Sequence, residues 1–107
     1  MPRVFIFDDI TYKVGKNAKE NWDLIDESEE DDIWIHLHDY PSCHVIIENT
    51  KSLEKEHILH GCRLCKEYSK YKNDKKIKVS VLYKKYVQKG KVVGEAKLKI
   101  KPTIYTI

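Results

Sequence analysis

The sequence predicts an α+β domain in which a mostly antiparallel sheet packs against one long and one short helix. Three observations favour this class. Apolar and polar residues alternate over residues 33–37, a helical pattern with an acidic start and a basic end covers residues 52–71, and short apolar segments separated by turn residues fill the C-terminal third. At 107 residues the chain has room for one domain, residues 1–107, around one core.

The N-terminal half is predicted to contain four strands and the shorter helix. The predicted strands are residues 4–7, 11–14, 33–37 and 43–47. Asp8 and Asp9 form the turn of a first hairpin. The helix covers residues 17–26, with Asn17 as its N-cap and Glu20 three residues later in a pattern like a capping box.

The C-terminal half is predicted to contain the longer helix and four further strands. This helix covers residues 52–71, with Ser52 as its N-cap, and Gly61 allows it to lie close to the sheet. The predicted strands are residues 77–83, 86–88, 95–100 and 103–107.

Acidic and basic residues are divided unevenly between the two halves of the chain. Residues 1–54 hold 5 Lys and Arg against 13 Asp and Glu, whereas residues 55–107 hold 15 against 4. Because clustered lysines release counterions from a phosphate backbone, the basic half predicts a polyanionic partner. The alternative is that these lysines only keep the surface solvated.

Three features predict a cytoplasmic protein without a membrane partner. The N-terminus lacks a basic segment followed by an apolar stretch and a cleavage site. No apolar run approaches the roughly 20 residues that a membrane span needs. The three cysteines, Cys43, Cys62 and Cys65, cannot all pair with one another, which favours reduced thiols.

Three separated blocks of sequence resemble one known family. The blocks are VGKNAKEN at residues 14–21, DIWIH at residues 32–36, and Pro41 followed by HVII at residues 44–47. In this order they resemble the NFACT-R family, the DUF814 RNA-binding domain, as a stand-alone short form. The resemblance implies RNA binding in translation or ribosome-associated quality control, with tRNA, ribosomal RNA or the large ribosomal subunit as partner. It also implies a separate chain that supplies the other NFACT domains.

The chain departs from the family pattern at two points. Ile35 stands where the family usually has an aromatic residue, and Pro41-Ser42-Cys43-His44 replaces Pro-Gly-Ser-His. The loop has therefore lost a glycine that would allow close backbone approach.

A mixed aromatic and imidazole patch is the first candidate RNA-binding site. In the predicted strand over residues 33–37, the alternation places Trp34 and His36 on the polar face, with His38 beyond them and His44 on the next strand. Aromatic rings of this kind stack on unpaired bases. The alternative is that a helix covers Trp34 and that His36 and His44 hold the hairpin through backbone hydrogen bonds.

Two groups of basic and amide residues are further candidates. The first surrounds Gly15, where backbone N–H groups at a helix start could receive a phosphate. The second is a basic track that combines the longer helix with the segment after the strand of residues 77–83. The full set of residues predicted to contact RNA is Lys13, Lys16, Asn17, Lys19, Asn21, Trp34, His36, His44, Arg63, Lys66, Lys70, Lys84, Lys85 and Lys89.

No catalytic residue, cofactor or metal is assigned, and the protein is predicted not to be an enzyme. A zinc site is disfavoured because four ligands on one helix cannot close a tetrahedron; the residues concerned are His57, His60, Cys62 and Cys65. A metal-dependent phosphodiesterase is an alternative, and its ligands would come from Asp31, Asp32, His36, His38, Asp39 and His44. A protein-interaction adaptor and a DNA-binding module are the remaining alternatives.

Overall fold

The computed structural model describes residues 1–107 as a six-stranded antiparallel sheet, two helices and a separate two-stranded ribbon. In chain order the elements are β1 (Arg3–Phe7), β2 (Ile10–Val14), α1 (Ala18–Glu27), β3 (Ile33–Leu37), β4 (Val45–Ile47), α2 (Lys55–Glu67), β5 (Lys78–Tyr83), a 3-10 turn (Lys84–Tyr86), β6 (Val87–Lys89), β7 (Ala96–Leu98) and β8 (Thr103–Thr106). The large sheet has the order β1-β2-β4-β3-β5-β8, and β6 pairs with β7. The predicted class, α+β with a mostly antiparallel sheet, is confirmed.

The first hairpin has the predicted two-residue turn. Phe7 pairs with Ile10, so Asp8 and Asp9 form the whole connection. Their φ angles are 54° and 61° respectively, the left-handed values that a type I′ turn requires at both central positions. The turn therefore sets the register of the hairpin, which pairs Arg3 with Val14 at its open end.

The sheet is covered on both faces, which corrects the prediction that β3 is half-buried with a polar outer face. Ile33, Ile35 and Leu37 of β3 belong to a core cluster with α2. Trp34 lies on the opposite face, in a second cluster that α1 and the β6–β7 ribbon complete. A strand between two layers buries both sets of alternating side chains.

Helix α1 begins at the predicted cap. The Asn17 side chain accepts the Glu20 N–H at 2.9 Å, which satisfies one donor of the first turn. The Glu20 carboxylate does not return to Asn17; it accepts the Lys16 N–H and pairs with the Met1 ammonium, both at 2.9 Å. The carboxylate therefore ties the N-terminal residues to the start of the helix.

Helix α2 is shorter than predicted at both ends. It begins at Lys55, with Glu54 rather than Ser52 as its N-cap residue, and it ends at Glu67. The Glu54 N–H donates to His57 Nδ1 at 2.8 Å. Gly61 has the predicted role, because a β-carbon there would lie 2.7 Å from Ile35 Cδ1. Neither helix has the length and apolar character needed to cross a membrane.

Of the last three predicted strands, only one joins the main sheet. The ribbon of β6 and β7 packs over α1, and only β8 extends the sheet beside β5. At the turn of the ribbon, Gly94 has φ of 90°, and a β-carbon there would lie 2.7 Å from Ala18 Cβ. Glycine therefore allows the ribbon to contact the start of α1 directly.

Replacing Lys76 with glycine is expected to stabilise the fold. Lys76 is exposed and has φ of 58°, a left-handed conformation in which a β-carbon is strained. Relief of this strain should exceed the entropy that glycine adds to the unfolded chain, for a net gain of about 0.5 kcal/mol. Urea denaturation of Lys76→Gly measures it. The matched control is Lys75→Gly, since Lys75 lacks a positive φ; equal effects of both changes would refute the strain argument.

Candidate nucleic-acid interface

A cavity of about 560 Å³ lies where five segments of the chain meet, and we call it the α1 cavity. Its walls are the start of β1, the start of α1, the residues after α2, the loop before β4 and the turn between β6 and β7. Three cations line it: Arg3, Lys16 and Lys70. No Asp or Glu is among its 15 lining residues, so the cavity has a positive character.

The start of α1 borders the α1 cavity and carries N–H donors without a partner in the chain. The N–H groups of Ala18 and Lys19 precede the first intrahelical hydrogen bonds and have no acceptor in the chain. Asn21 is only 8% exposed and lines the cavity. Its Oδ1 accepts the His44 N–H at 3.0 Å, whereas its Nδ2 donates to no group of the chain. Such donors at a helix start favour an anion.

Gly15 allows Asn21 to occupy this position. A β-carbon at Gly15 would lie 2.1 Å from Asn21 Oδ1, too close for any other residue without displacement of the amide. Gly15 itself is buried, and its N–H donates to the His44 carbonyl at 3.1 Å. Gly15 and Asn21 are therefore both held by hydrogen bonds to His44, the residue just before β4.

Two tyrosines form an aromatic wall of the α1 cavity. Tyr68 lies under the Arg3 guanidinium, whose central carbon is 4.8 Å from the ring centroid. Tyr71 stacks on Tyr40 with ring centroids 4.2 Å apart. Tyr68 is 41% exposed and Tyr71 is half-buried, and accessible aromatic rings stack on unpaired bases, so this wall complements the cations.

The structure excludes two of the predicted contacts. Trp34 is 2% exposed and His44 is 1% exposed, so neither ring has a face on which a base could stack. The Trp34 Nε1–H donates to His44 Nδ1 at 3.2 Å. Their burial contradicts the prediction that these two rings contact RNA. Helix α1 covers Trp34, as the alternative stated, but His44 bonds to the Trp34 side chain rather than only to backbone.

His36 lies beside Trp34 and His44 but is less buried than either. Its ring is half-buried and stacks on Trp34 with centroids 5.6 Å apart. Burial lowers the pKa of His36 below its usual value, so the ring is neutral near pH 7. His36 lines a neighbouring cavity and not the α1 cavity, so a role in RNA binding stays a prediction.

Four of the predicted lysines have acidic partners. Lys16 lies 3.9 Å from the Glu20 carboxylate. Lys13 pairs with Glu48 at 3.0 Å. Lys19 and Lys89 each lie 3.1 Å from a carboxylate of α1, from Asp23 and Asp26 respectively. Exposed pairs of this kind contribute little to stability, but they reduce the charge available to a phosphate.

The predicted basic track does not form one surface. Arg63 and Lys66 lie on α2, whereas the lysines around β6 lie on the opposite face of the sheet beside α1. Lys84 and Lys85 also border the acidic run, because their N–H groups donate to the carbonyls of Asp32 and Glu30. The track therefore divides into two patches, and only Lys70 of this set lines the α1 cavity.

The sequence reasoning missed Arg3, and a signal was present that could have identified it. A two-residue turn at Asp8 and Asp9 fixes the hairpin register, and this register places Arg3 opposite Val14. Arg3 consequently lies beside the glycine turn. Tyr68 and Tyr71 were missed because the predicted helix extended through both residues.

The residues of the phosphodiesterase alternative do not converge. Asp32 uses one carboxylate oxygen for the Glu29 N–H and the other for the Asn49 N–H, both at 3.0 Å. His44 is buried. No three residues of the proposed ligand set have ligand atoms within 4.8 Å of one another.

A different group, Asp8, Glu56 and His57, does bring three ligand atoms within 4.8 Å. His57 Nδ1 accepts the Glu54 N–H, so the neutral ring carries its proton on Nε2 and donates it to Asp8 at 2.8 Å. A protonated Nε2 offers no lone pair to a metal. These residues therefore cap the start of α2 and join that helix to the turn of the first hairpin.

The α+β fold and the cationic, tyrosine-walled cavity define a small domain suited to binding a polyanion. The chain belongs to the family of the NFACT protein RNA binding domain, whose model matches residues 3–99. This membership confirms the predicted family, and the chain is an RNA-binding module of that family.

One curated relative and one solved structure illustrate the match. The chain is 30% identical over 81 residues to the Rqc2 homolog RqcH of Bacillus subtilis, which is 75% of this chain and 14% of that protein. The C-terminal part of the fibronectin/fibrinogen-binding protein from Streptococcus suis has the same fold, with a TM-score of 0.90 at 22% identity. That likeness covers 99% of this chain and 44% of the other. The chain therefore spans less than half of either protein.

Proposed function

We propose that this chain binds tRNA or ribosomal RNA, with a backbone phosphate in the α1 cavity. The observation that carries the proposal is the set of unpaired donors there. Neither Arg3 nor Lys70 takes part in any of the eight ion pairs of the structure. Together with the free N–H groups at the start of α1, these cations supply the donors that a phosphate requires.

The tyrosine wall extends the proposal from phosphate to nucleotide. A phosphate at the start of α1 places the attached nucleoside near Tyr68 and Tyr71, where an unpaired base can stack. Stacking of this kind depends on single-stranded or looped RNA, because bases inside a duplex are already stacked. We therefore expect the domain to prefer loops over continuous duplex.

Membership of the NFACT RNA-binding family and the 30% identity to the Rqc2 homolog RqcH support a wider proposal. We propose that the domain acts in ribosome-associated quality control, on tRNA or on the large ribosomal subunit, and that its site of action is the cytoplasm.

Removing two cations from the α1 cavity is expected to weaken RNA binding about tenfold and to reduce the slope of log affinity against log salt by about 2. The variant is Arg3→Gln with Lys70→Gln. Fluorescence polarisation measures affinity for tRNA, for single-stranded RNA and for DNA of the same sequence, over a salt series. Circular dichroism verifies that each variant is folded.

The matched control is Lys84→Gln with Lys85→Gln, which removes the same charge from the patch beside the acidic run. A smaller loss than in the cavity variant supports the proposed site. An equal or larger loss places the RNA on the other patch. If the wild-type protein binds no nucleic acid even at low salt, RNA binding is wrong and the adaptor function is favoured.

A further inference from the structure

Two cysteines from distant parts of the chain meet behind the wall of the α1 cavity. Cys43 lies in the loop before β4, and Cys65 lies in the last turns of α2. The Cys65 Sγ is 3.5 Å from the Cys43 carbonyl, and the Cys43 Sγ is 3.8 Å from the Cys65 carbonyl. Each sulfur therefore lies within about 4 Å of the other residue's carbonyl oxygen, which places the two side chains next to each other, as a disulfide requires.

The two thiols differ in accessibility and in acidity. Cys43 is half-buried and lines the cavity, whereas Cys65 is fully buried. A hydrogen bond from the Cys65 thiol lowers the pKa of Cys43, and the Arg3 guanidinium adds to this effect. The same bond and burial raise the pKa of Cys65. Cys43 is thus the thiol that reagents reach first and the better nucleophile.

The third cysteine lacks these properties. Cys62 is fully buried in the core between α2 and the sheet. Burial raises its pKa to about 12. It makes no hydrogen bond with Cys43, so it serves as an internal reference for reactivity.

We propose that Cys43 and Cys65 form a modification site for small-molecule disulfides, which convert the pair into an intramolecular disulfide. Cys43 faces the cavity, as an attacking cysteine must, and Cys65 lies behind it in the position of a resolving cysteine. This inference does not depend on the identity of the RNA.

The reaction balances with one external disulfide as the oxidant. The Cys43 thiolate attacks one sulfur of glutathione disulfide, so that a mixed disulfide forms and one glutathione thiolate leaves. Loss of the Cys43 negative charge removes one cause of the raised pKa of Cys65. The Cys65 thiol then attacks the Cys43 sulfur and expels the second glutathione, which leaves as a thiol with the proton that Cys65 gives up. Two protein thiols are oxidised and one glutathione disulfide is reduced to two thiols.

The crosslink would join two walls of the α1 cavity. Ser42, next to Cys43, lines the cavity and also lies 3.6 Å from the Cys65 sulfur. A covalent bond there fixes the loop before β4 against α2. We therefore expect the oxidised protein to have a higher Tm than the reduced protein.

The test is oxidation of the whole protein with excess glutathione disulfide, followed by acid quenching, alkylation under denaturing conditions and non-reducing mass spectrometry. The expected product has lost two hydrogen atoms and carries one alkyl group, on Cys62. Trypsin cleaves after Arg63 and so separates Cys62 from Cys65, which allows the bonded pair to be assigned.

Three variants make the outcome decisive. Cys65→Ser should accumulate a stable glutathione adduct on Cys43, and Cys43→Ser should form neither adduct nor crosslink. Cys62→Ala should crosslink as the wild type does. Three results would overturn the proposal: a wild-type protein that keeps its glutathione adduct, one that bonds Cys62, or one whose thiols all remain free. None of these results bears on RNA binding, which is measured separately.

Discussion

Acidification from pH 6.5 to pH 4 is expected to destabilise the domain by about 3 kcal/mol through His44 alone. Burial lowers the pKa of His44 to about 3, and the neighbouring His36 contributes to this shift. Its Nδ1 accepts the Trp34 Nε1–H, so protonation there breaks a buried hydrogen bond. The folded pKa is depressed, so the unfolded chain binds the proton first. The stabilisation is present above pH 6.5 and is lost as pH falls towards 3.

Urea denaturation between pH 7 and pH 4 measures this effect. The comparison is with His44→Gln, which keeps an acceptor near Trp34 but does not titrate. We expect the variant to be less stable at pH 7 and its stability to depend less on pH, because it lacks only the contribution of His44 and shares every other ionisable group with the wild type. Identical pH dependence in the two proteins would show that His44 is not buried in neutral form.

Truncation of Trp34 to alanine is expected to destabilise the fold by about 3–5 kcal/mol. The side chain is 2% exposed and lies at the centre of the cluster between the sheet, α1 and the β6–β7 ribbon. Its removal leaves a cavity and deprives His44 Nδ1 of its donor. A loss of this size approaches the whole stability of a small domain, so the variant should be largely unfolded near room temperature.

Trp22 provides the matched control for Trp34. It is half-buried on α1, and its Nε1–H donates to the Glu95 carbonyl at 2.9 Å. Trp22→Ala should therefore destabilise the domain less, by about 1 kcal/mol. Urea denaturation followed by circular dichroism compares the two variants. If Trp34→Ala lowered the free energy of unfolding as little as Trp22→Ala does, the assignment of Trp34 to the core would be contradicted.

Local patterns predicted most of the elements because their determinants are local. The turn at Asp8 and Asp9, the cap at Asn17 and the alternation in β3 each depend on residues within one segment. The burial of Trp34 depends on distant segments, because α1 and the β6–β7 ribbon cover it, and the ribbon lies more than fifty residues later in the chain. Alternation alone cannot distinguish a solvated face from one that a remote segment covers.

Only the part of the candidate site that depends on local sequence was predicted. Lys16, Asn17 and Asn21 surround a glycine turn that the sequence shows directly. Lys70 and the tyrosine wall reach the same cavity because α2 ends at Glu67, earlier than its helical pattern predicted. The residue at which α2 ends depends on packing against the sheet, so the helical pattern of the sequence alone does not predict it.

An NMR titration of the nitrogen-15-labelled protein with single-stranded RNA tests most directly whether RNA occupies the α1 cavity. We expect the largest chemical-shift changes at the backbone N–H groups of Ala18 and Lys19 and at the side-chain amide of Asn21. Changes confined to the lysines of the 3-10 turn and β6, with the start of α1 unaffected, would contradict this expectation.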